Sequence, residues 1–229
     1  MEIIVTEATK TATNHETATQ HVSHSQELQA LPLEIVVERI IALNQGVAAF
    51  WGSSSGWAPV EAAQLLSKSR LDWQVSLAKA LRIWTHDDLD KAEPGHLILA
   101  WANLGSLVEG TLKLFLSAFY ENYRDDVDAI CRKGEVRSPD DLSLEPLRLF
   151  YKKRIWDNDW DTWIQHLQHR RNAIHAFKNR DIGCFGELEY DIRRYLRLLR
   201  YINFRLPYPD DLYRPQEVTK PSPTGEGDF

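Results

Sequence analysis

Sulfur is scarce in this chain, with two Cys and one Met among 229 residues. Cys131 and Cys184 lie far apart and form no CxxC pair, so they are expected to be two free thiols in a reduced, cytosolic protein. No apolar run approaches the roughly 20 residues that a membrane-spanning helix needs. The N-terminus has no basic stretch followed by an apolar one, so no secretory signal is expected. There is no phosphate-binding P-loop, no dinucleotide-binding glycine fingerprint and no G-x-S-x-G elbow. Alternating β patterns are nearly absent; only "EIIV" at Glu2–Val5 suits a short strand.

Apolar residues make up 43% of the chain and include eight Trp, enough for one substantial core. The net charge is −6, which does not announce a nucleic-acid binder. Its distribution is uneven. Between Arg148 and Arg205 there are 13 Lys and Arg against 7 Asp and Glu, an excess of 6 positive charges, so the remainder holds an excess of 12 negative ones. Such a basic C-terminal half can hold a phosphate backbone or can simply be an unevenly charged, solvated surface.

Residues 1–30 are rich in Thr, His, Gln and Glu and read as a flexible N-terminal arm. Residues 207–229, punctuated by Pro207, Pro209, Pro215, Pro221 and Pro223, read as an irregular C-terminal tail. The pattern from 31 to 206 is helical. "LEIVVERIIALNQGVAAF" has apolar residues at helical spacing. After the "WGSSSGWAP" loop a helix is expected from Pro59 to about Trp84, with Leu66, Trp73, Leu77 and Leu81 on one side. A long helix, apolar nearly all round and therefore central, is expected over His96 to Tyr123. Gly105 and Gly110 inside it are costly, which points to close helix approach. Shorter helices are expected over Leu144–Trp156 and from Trp160 to Asn179, the latter capped by Asp159 or Asp161. The last helix, Glu187 to Leu206, carries the clearest stripe: Leu188, Ile192, Tyr195, Leu199, Ile202 and Leu206. The expected class is all-α, an antiparallel helical bundle.

The densest chemistry lies in "QHRRNAIHAFKNRDIG", Gln168 to Gly183. Trp160, Trp163, Leu167, Ile174 and Phe177 form an apolar seam, and Arg170 occupies a seam position. A guanidinium there must find acceptors or open to a cleft, because burial without a partner is costly. Arg171 and His175, four apart, are expected on one helical face, with Asn172, Lys178 and Arg180 nearby. Arginine fits phosphate with forked donors, and histidine transfers protons near neutrality. Alternatively, both arginines pair with acids and His175 caps the bundle edge.

"RRNAIH" at Arg170–His175 resembles the R-x(4–6)-H signature of HEPN domains, helical domains of prokaryotic ribonucleases, toxins and phage-defence proteins. Counted from Arg170 the spacing is R-x4-H. The common Arg-Asn form would start at Arg171, which leaves open which arginine holds the family role. The resemblance is strongest over Trp160–Pro209 and extends more loosely to the helices at Pro59–Trp84 and His96–Tyr123. It implies a metal-independent endoribonuclease that needs no cofactor. Such a protein would act on RNA as a homodimer with two facing motifs, as a toxin or phage-defence effector, with an antitoxin or defence-system protein as a further partner. A catalytically silent RNA- or protein-binding module of the same fold is the alternative.

Other signals are weaker. Glu109, in an otherwise apolar helix, either orients Arg170 or Arg171 or is a buried ion-pair partner; Asn103 in the same helix is a fainter candidate. Arg193, Arg197 and Arg200 on the last helix either track RNA or form a solvated face. "DNDWD" begins like a calcium loop, but Thr162 and Gln168 stand where Gly and Glu are required. His166 and His169 are three apart with no local ligand to complete a metal set, and His15, His21 and His24 fall in the arm, so no metal site is expected.

Overall fold

A computed structural model describes residues 28–156, 158–175 and 177–217. Among the described residues its α-helices include α1 (Leu33–Trp51), α2 (Val60–Lys68), α3 (Leu71–Thr85), α4 (Pro94–Ala118), α5 (Tyr120–Arg124), α6 (Leu144–Arg154), α7 (Asn158–Arg171) and α8 (Phe185–Arg205). A two-stranded ribbon, β1 (Cys131–Arg132) against β2 (Glu135–Val136), is antiparallel. The fold is thus mostly helical, and among the described residues no helix is long and apolar enough to cross a membrane. The "EIIV" segment and the N-terminal histidines lie outside the described residues.

α4 is the axis. Pro94 fills its first turn, and the Glu93 side chain accepts from Gly95 N. Trp101, Leu104, Leu107, Val108 and Leu112 are wholly buried, which requires neighbours on several sides. α3, α7 and α8 supply them, while α1 packs on α3 and α8. The α8 stripe is buried from Leu188 to Leu206. Truncating one of these leucines to alanine should cost about 2–5 kcal/mol.

Three expected helices are divided. The segment Pro59–Trp84 breaks at Ser69 and Arg70 because the Ser67 and Ser69 hydroxyls donate to the carbonyls of Gln64 and Leu65, both at 2.9 Å. Arg70 then pairs with Asp72 in the first turn of α3. The break changes the phase, so Trp73 is exposed with Arg70 stacked 4.0 Å above it, while Leu66 and Leu81 remain buried. The central helix stops at Ala118 and restarts as α5. The third division, at Arg171, bears on the site.

The two glycines of α4 accommodate side chains. A Cβ on Gly105 would lie 2.6 Å from Arg171 Cδ, and one on Gly110 would lie 2.2 Å from Gln74 Oε1. Asn103 ties α3 to α4, accepting from Trp84 Nε1 (2.9 Å) and donating to Leu77 O (3.0 Å). Both ends of the described chain are docked. Arg193 Nη1 donates to the carbonyls of Leu28 and Leu31, each at 2.7 Å. The segment after α8 includes a 3-10 turn, Asp211–Tyr213, and packs Tyr208 and Tyr213 on Phe50.

Candidate functional site

α7 is fastened at its start. Asp161, expected as a cap, instead lies inside the first turn, buried against Arg148 and 2.7 Å from Lys152 Nζ. Burial alone would raise its carboxyl; hydrogen bonds from Lys152 and Arg148 outweigh that and hold it below the usual range. Trp163, Ile164 and Leu167 then bury the inner face, and the helix arrives at its two arginines in a fixed register.

Those arginines part company. Arg170 is buried and turns toward α8, with Nη1 2.6 Å from Asp181 Oδ1 and Nη2 2.7 Å from Glu187 Oε2. Gly183 sits against this clamp at φ +65, where a Cβ would meet Glu187 Oε2 at 1.9 Å. The Arg170 guanidinium beside it lowers the Asp181 carboxyl. Arg171 turns toward α4 instead. Its stem crosses Gly105, and its Nη1 lies 2.7 Å from Glu109 Oε2. Glu109 is also 2.9 Å from Lys113 Nζ. The two arginines therefore differ in local charge. Arg170 is one cation between two carboxylates; Arg171 and Lys113 are two cations sharing one.

The helix does not continue to Asn179. It ends at Arg171, followed by a 3-10 turn over Asn172–Ile174, and His175 has φ −84 and ψ 73. The expected stacking of Arg171 and His175 on one helical face is thus overturned. The seam residues that would have held the longer helix, Ile174 and Phe177, are exposed, so no burial supports continuation. Arg170 meanwhile draws the chain back toward Asp181 and Glu187. His175 is exposed, and its side chain makes no hydrogen bond or ion pair among the described residues. Asn172 and Arg180 are half-buried and Lys178 is exposed on the same connection.

The α8 arginines do not join this group. Arg193 holds the carbonyls of Leu28 and Leu31, and Arg200 Nη2 donates to Glu217 Oε2 at 2.8 Å. Arg197 lies over the Trp160 ring at 5.7 Å. Among the described residues no group of three or more His, Cys, Asp or Glu could hold a metal ion.

A second titratable pair went unread in the sequence. His166 Nε2 lies 3.4 Å from Oδ2 of the buried Asp191. The signal was present: Asp191 is three residues after Leu188 and four before Tyr195, a carboxyl on the apolar stripe of α8. Burial pushes the Asp191 carboxyl up to about 6. Burial, and then the neighbouring Arg170, lower the His166 imidazole. A carboxyl raised on folding adds stability that is full below the ordinary Asp range and lost as pH rises through about 6. His166 acts oppositely, because its lowered value costs stability as pH falls below the ordinary imidazole range. Asp191→Asn is therefore expected to be more stable than the natural chain at pH 7 to 8, with the gain shrinking toward pH 4. Urea unfolding across that range measures it; an equal difference at every pH would show that ionising Asp191 carries no folding cost.

Comparison with protein-family models, with curated proteins and with solved structures finds no match to this chain.

Proposed function

We propose that the chain is a metal-independent endoribonuclease of HEPN type, acting as a homodimer in toxin or phage-defence function. The observation that carries this reading is the surplus of positive charge at the end of α7: Arg171 and Lys113 share the single carboxylate Glu109, beside a turn that leaves His175 exposed. A phosphate is drawn to such a site and repelled by the two carboxylates around Arg170. Arg171 then contacts the scissile phosphate and Glu109 aims it. Arg170 is a positioning residue that anchors the connection to α8.

The chemistry balances with two imidazoles. His175 of one protomer takes the 2′-OH proton, O2′ forms a bond to phosphorus, and the P–O5′ bond breaks. The protonated His175 of the partner subunit gives its proton to O5′. The products are a 2′,3′-cyclic phosphate and a free 5′-OH. Arg171 stabilises the charge on the pentacoordinate phosphorus. Lys178 and Arg180 extend the positive surface along the RNA.

The two arginines test the assignment. Arg171→Ala is expected to lower single-turnover cleavage about 10²–10³-fold with the fold retained, as loss of a transition-state donor does. Arg170→Ala is expected to act on stability and on proteolysis between 172 and 184, because it leaves Asp181 and Glu187 without their shared cation. The opposite pattern would move the phosphate to Arg170.

A second reading, a catalytically silent module that binds RNA or protein, is favoured by one observation: nothing among the described residues orients the His175 ring. That reading predicts RNA affinity without cleavage, unchanged by His175→Ala.

A further inference from the structure

α7 and α8 both rest on α4, and side chains rather than close backbone contact fill the seam between them. Where the first half of α7 passes the first half of α8, the seam opens into a groove of about 630 Å³. Trp163 and His166 from α7 and Tyr190 and Asp191 from α8 are among its lining residues. The volume is within the range of small-ligand sites.

The ion pairs around this groove are all turned the same way. Arg194 is 15% exposed, while its partner Asp159, 2.7 Å away, is 64% exposed. Arg170 is 8% exposed, while its partners Asp181 and Glu187 are 84% and 47% exposed. Each guanidinium is tucked under and each carboxylate faces water, and three carboxylates stand against two guanidiniums, so the rim is acidic. At the floor lies Asp191, 3% exposed, whose Oδ2 makes no hydrogen bond among the described residues; His166 Nε2 approaches it at 3.4 Å, and Trp163, Arg194 and Arg170 offset part of the rise that burial gives its carboxyl. With its pKa lowered below the ordinary imidazole value, the His166 ring is uncharged at neutral pH and does not cancel that carboxylate.

We propose that this groove binds an alkylammonium group, carried by a lysine side chain of a partner polypeptide or by a free polyamine. The acidic rim attracts a cation, and the buried carboxylate behind His166 supplies a charge that water does not screen. An ammonium carries three donors around one nitrogen and needs no coplanar pair of acceptors. That suits a site whose acceptors come from two helices and whose rim carboxylates already hold guanidiniums. The half-exposed Tyr190 ring offers a face for the cation and its alkyl stem. Nothing in this site depends on the nuclease reading, and the same rim repels phosphate.

The test follows the His166 imidazole by NMR in the full chain, with its signals assigned through His166→Gln. The probes are a capped tripeptide with a central lysine, its Nε-acetylated form, spermidine and inorganic phosphate. A saturable shift with the lysine peptide is expected, weakened roughly tenfold or more by acetylation and by the rim variant Asp159→Asn/Glu187→Gln. Asp191→Asn should weaken it as well, and His175→Ala should leave it unchanged. Spermidine binding tenfold tighter than the peptide would assign the site to a free polyamine, and the reverse to a polypeptide. Equal binding of the acetylated peptide, unchanged affinity in the rim variant, a saturable shift with phosphate, or no saturable shift with either amine would each overturn the proposal.

Discussion

His175→Ala is expected to slow RNA cleavage about 10²–10⁴-fold, the usual contribution of a positioned proton-transfer group. It is expected to do so without moving the thermal midpoint, because the side chain is exposed and holds nothing in place. His175→Gln should behave like the alanine variant, since an amide donates and accepts hydrogen bonds but does not titrate. If the proton transfers use one histidine from each protomer, mixing natural chains with an excess of His175→Ala chains tests the dimeric arrangement. A mixed dimer with one intact His175 lacks either the acid or the base, so the rate should fall more steeply than the fraction of natural chains; a rate proportional to that fraction would show that each protomer works alone. Single-turnover rates and melting curves on the same samples measure both properties. A fall in midpoint that tracks the loss of rate would return His175 to a structural role.

Asp161→Ala is expected to cost about 3–5 kcal/mol of folding stability, the range for breaking a buried ion pair on one side. Arg148 is buried with it, and the remaining partner of that guanidinium, Glu145, is half in water. The contribution has a defined pH window. The Asp161 carboxyl is held low in the fold, so its stabilisation is present above the ordinary Asp range and lost as pH falls through the lowered folded value. Arg82→Ala is the control, because the Arg82–Glu38 pair is half exposed on both sides and should contribute little to stability. Denaturant midpoints at neutral pH and at a pH of about 2, below the ordinary Asp range, check the size and the window. The pair also bears on the site: it joins α6 to α7 and so sets the register in which α7 delivers Arg171 to Glu109.

How far the sequence could be read depends on which interaction decides each element. α8 was legible because six apolar residues at spacings of three and four all meet the core, and nothing opposes them. α4 was legible as the central helix; its glycines, expected to allow close helix approach, instead make room for the Arg171 and Gln74 side chains, with which a Cβ would collide. The breaks were less visible. Ser67 and Ser69 end α2 by hydrogen bonds to their own helix, a local competition that apolar periodicity does not register. The end of α7 was misread for a different reason. Ile174 and Phe177 keep the helical period, but the structure offers them no core, while Arg170 finds its acceptors beyond the turn at Asp181 and Glu187. A sequence shows that a buried arginine needs partners; it does not show on which side of the chain they lie. The contact between Glu109 and Arg171 joins residues 62 positions apart and follows from helix packing alone. Asp191 was overlooked because its neighbour Ile192 satisfied the stripe, although the carboxyl lies on the same face.

The most direct measurement of the central claim uses one RNA oligonucleotide and its analogue with a single 2′-deoxy nucleotide at the scissile position, each incubated with the full chain in EDTA. The proposed chemistry requires the 2′-OH as nucleophile and no metal ion. The RNA should be cut to a 2′,3′-cyclic phosphate or 3′-phosphate end. The rate should trace a bell in pH as one imidazole must be neutral and the other protonated, and it should fall with added salt as phosphate contacts weaken. The 2′-deoxy analogue should remain intact. Cleavage of that analogue at the rate of the RNA, or activity that EDTA abolishes and magnesium restores, would contradict the mechanism and the reading of Arg171 and His175 on which it rests.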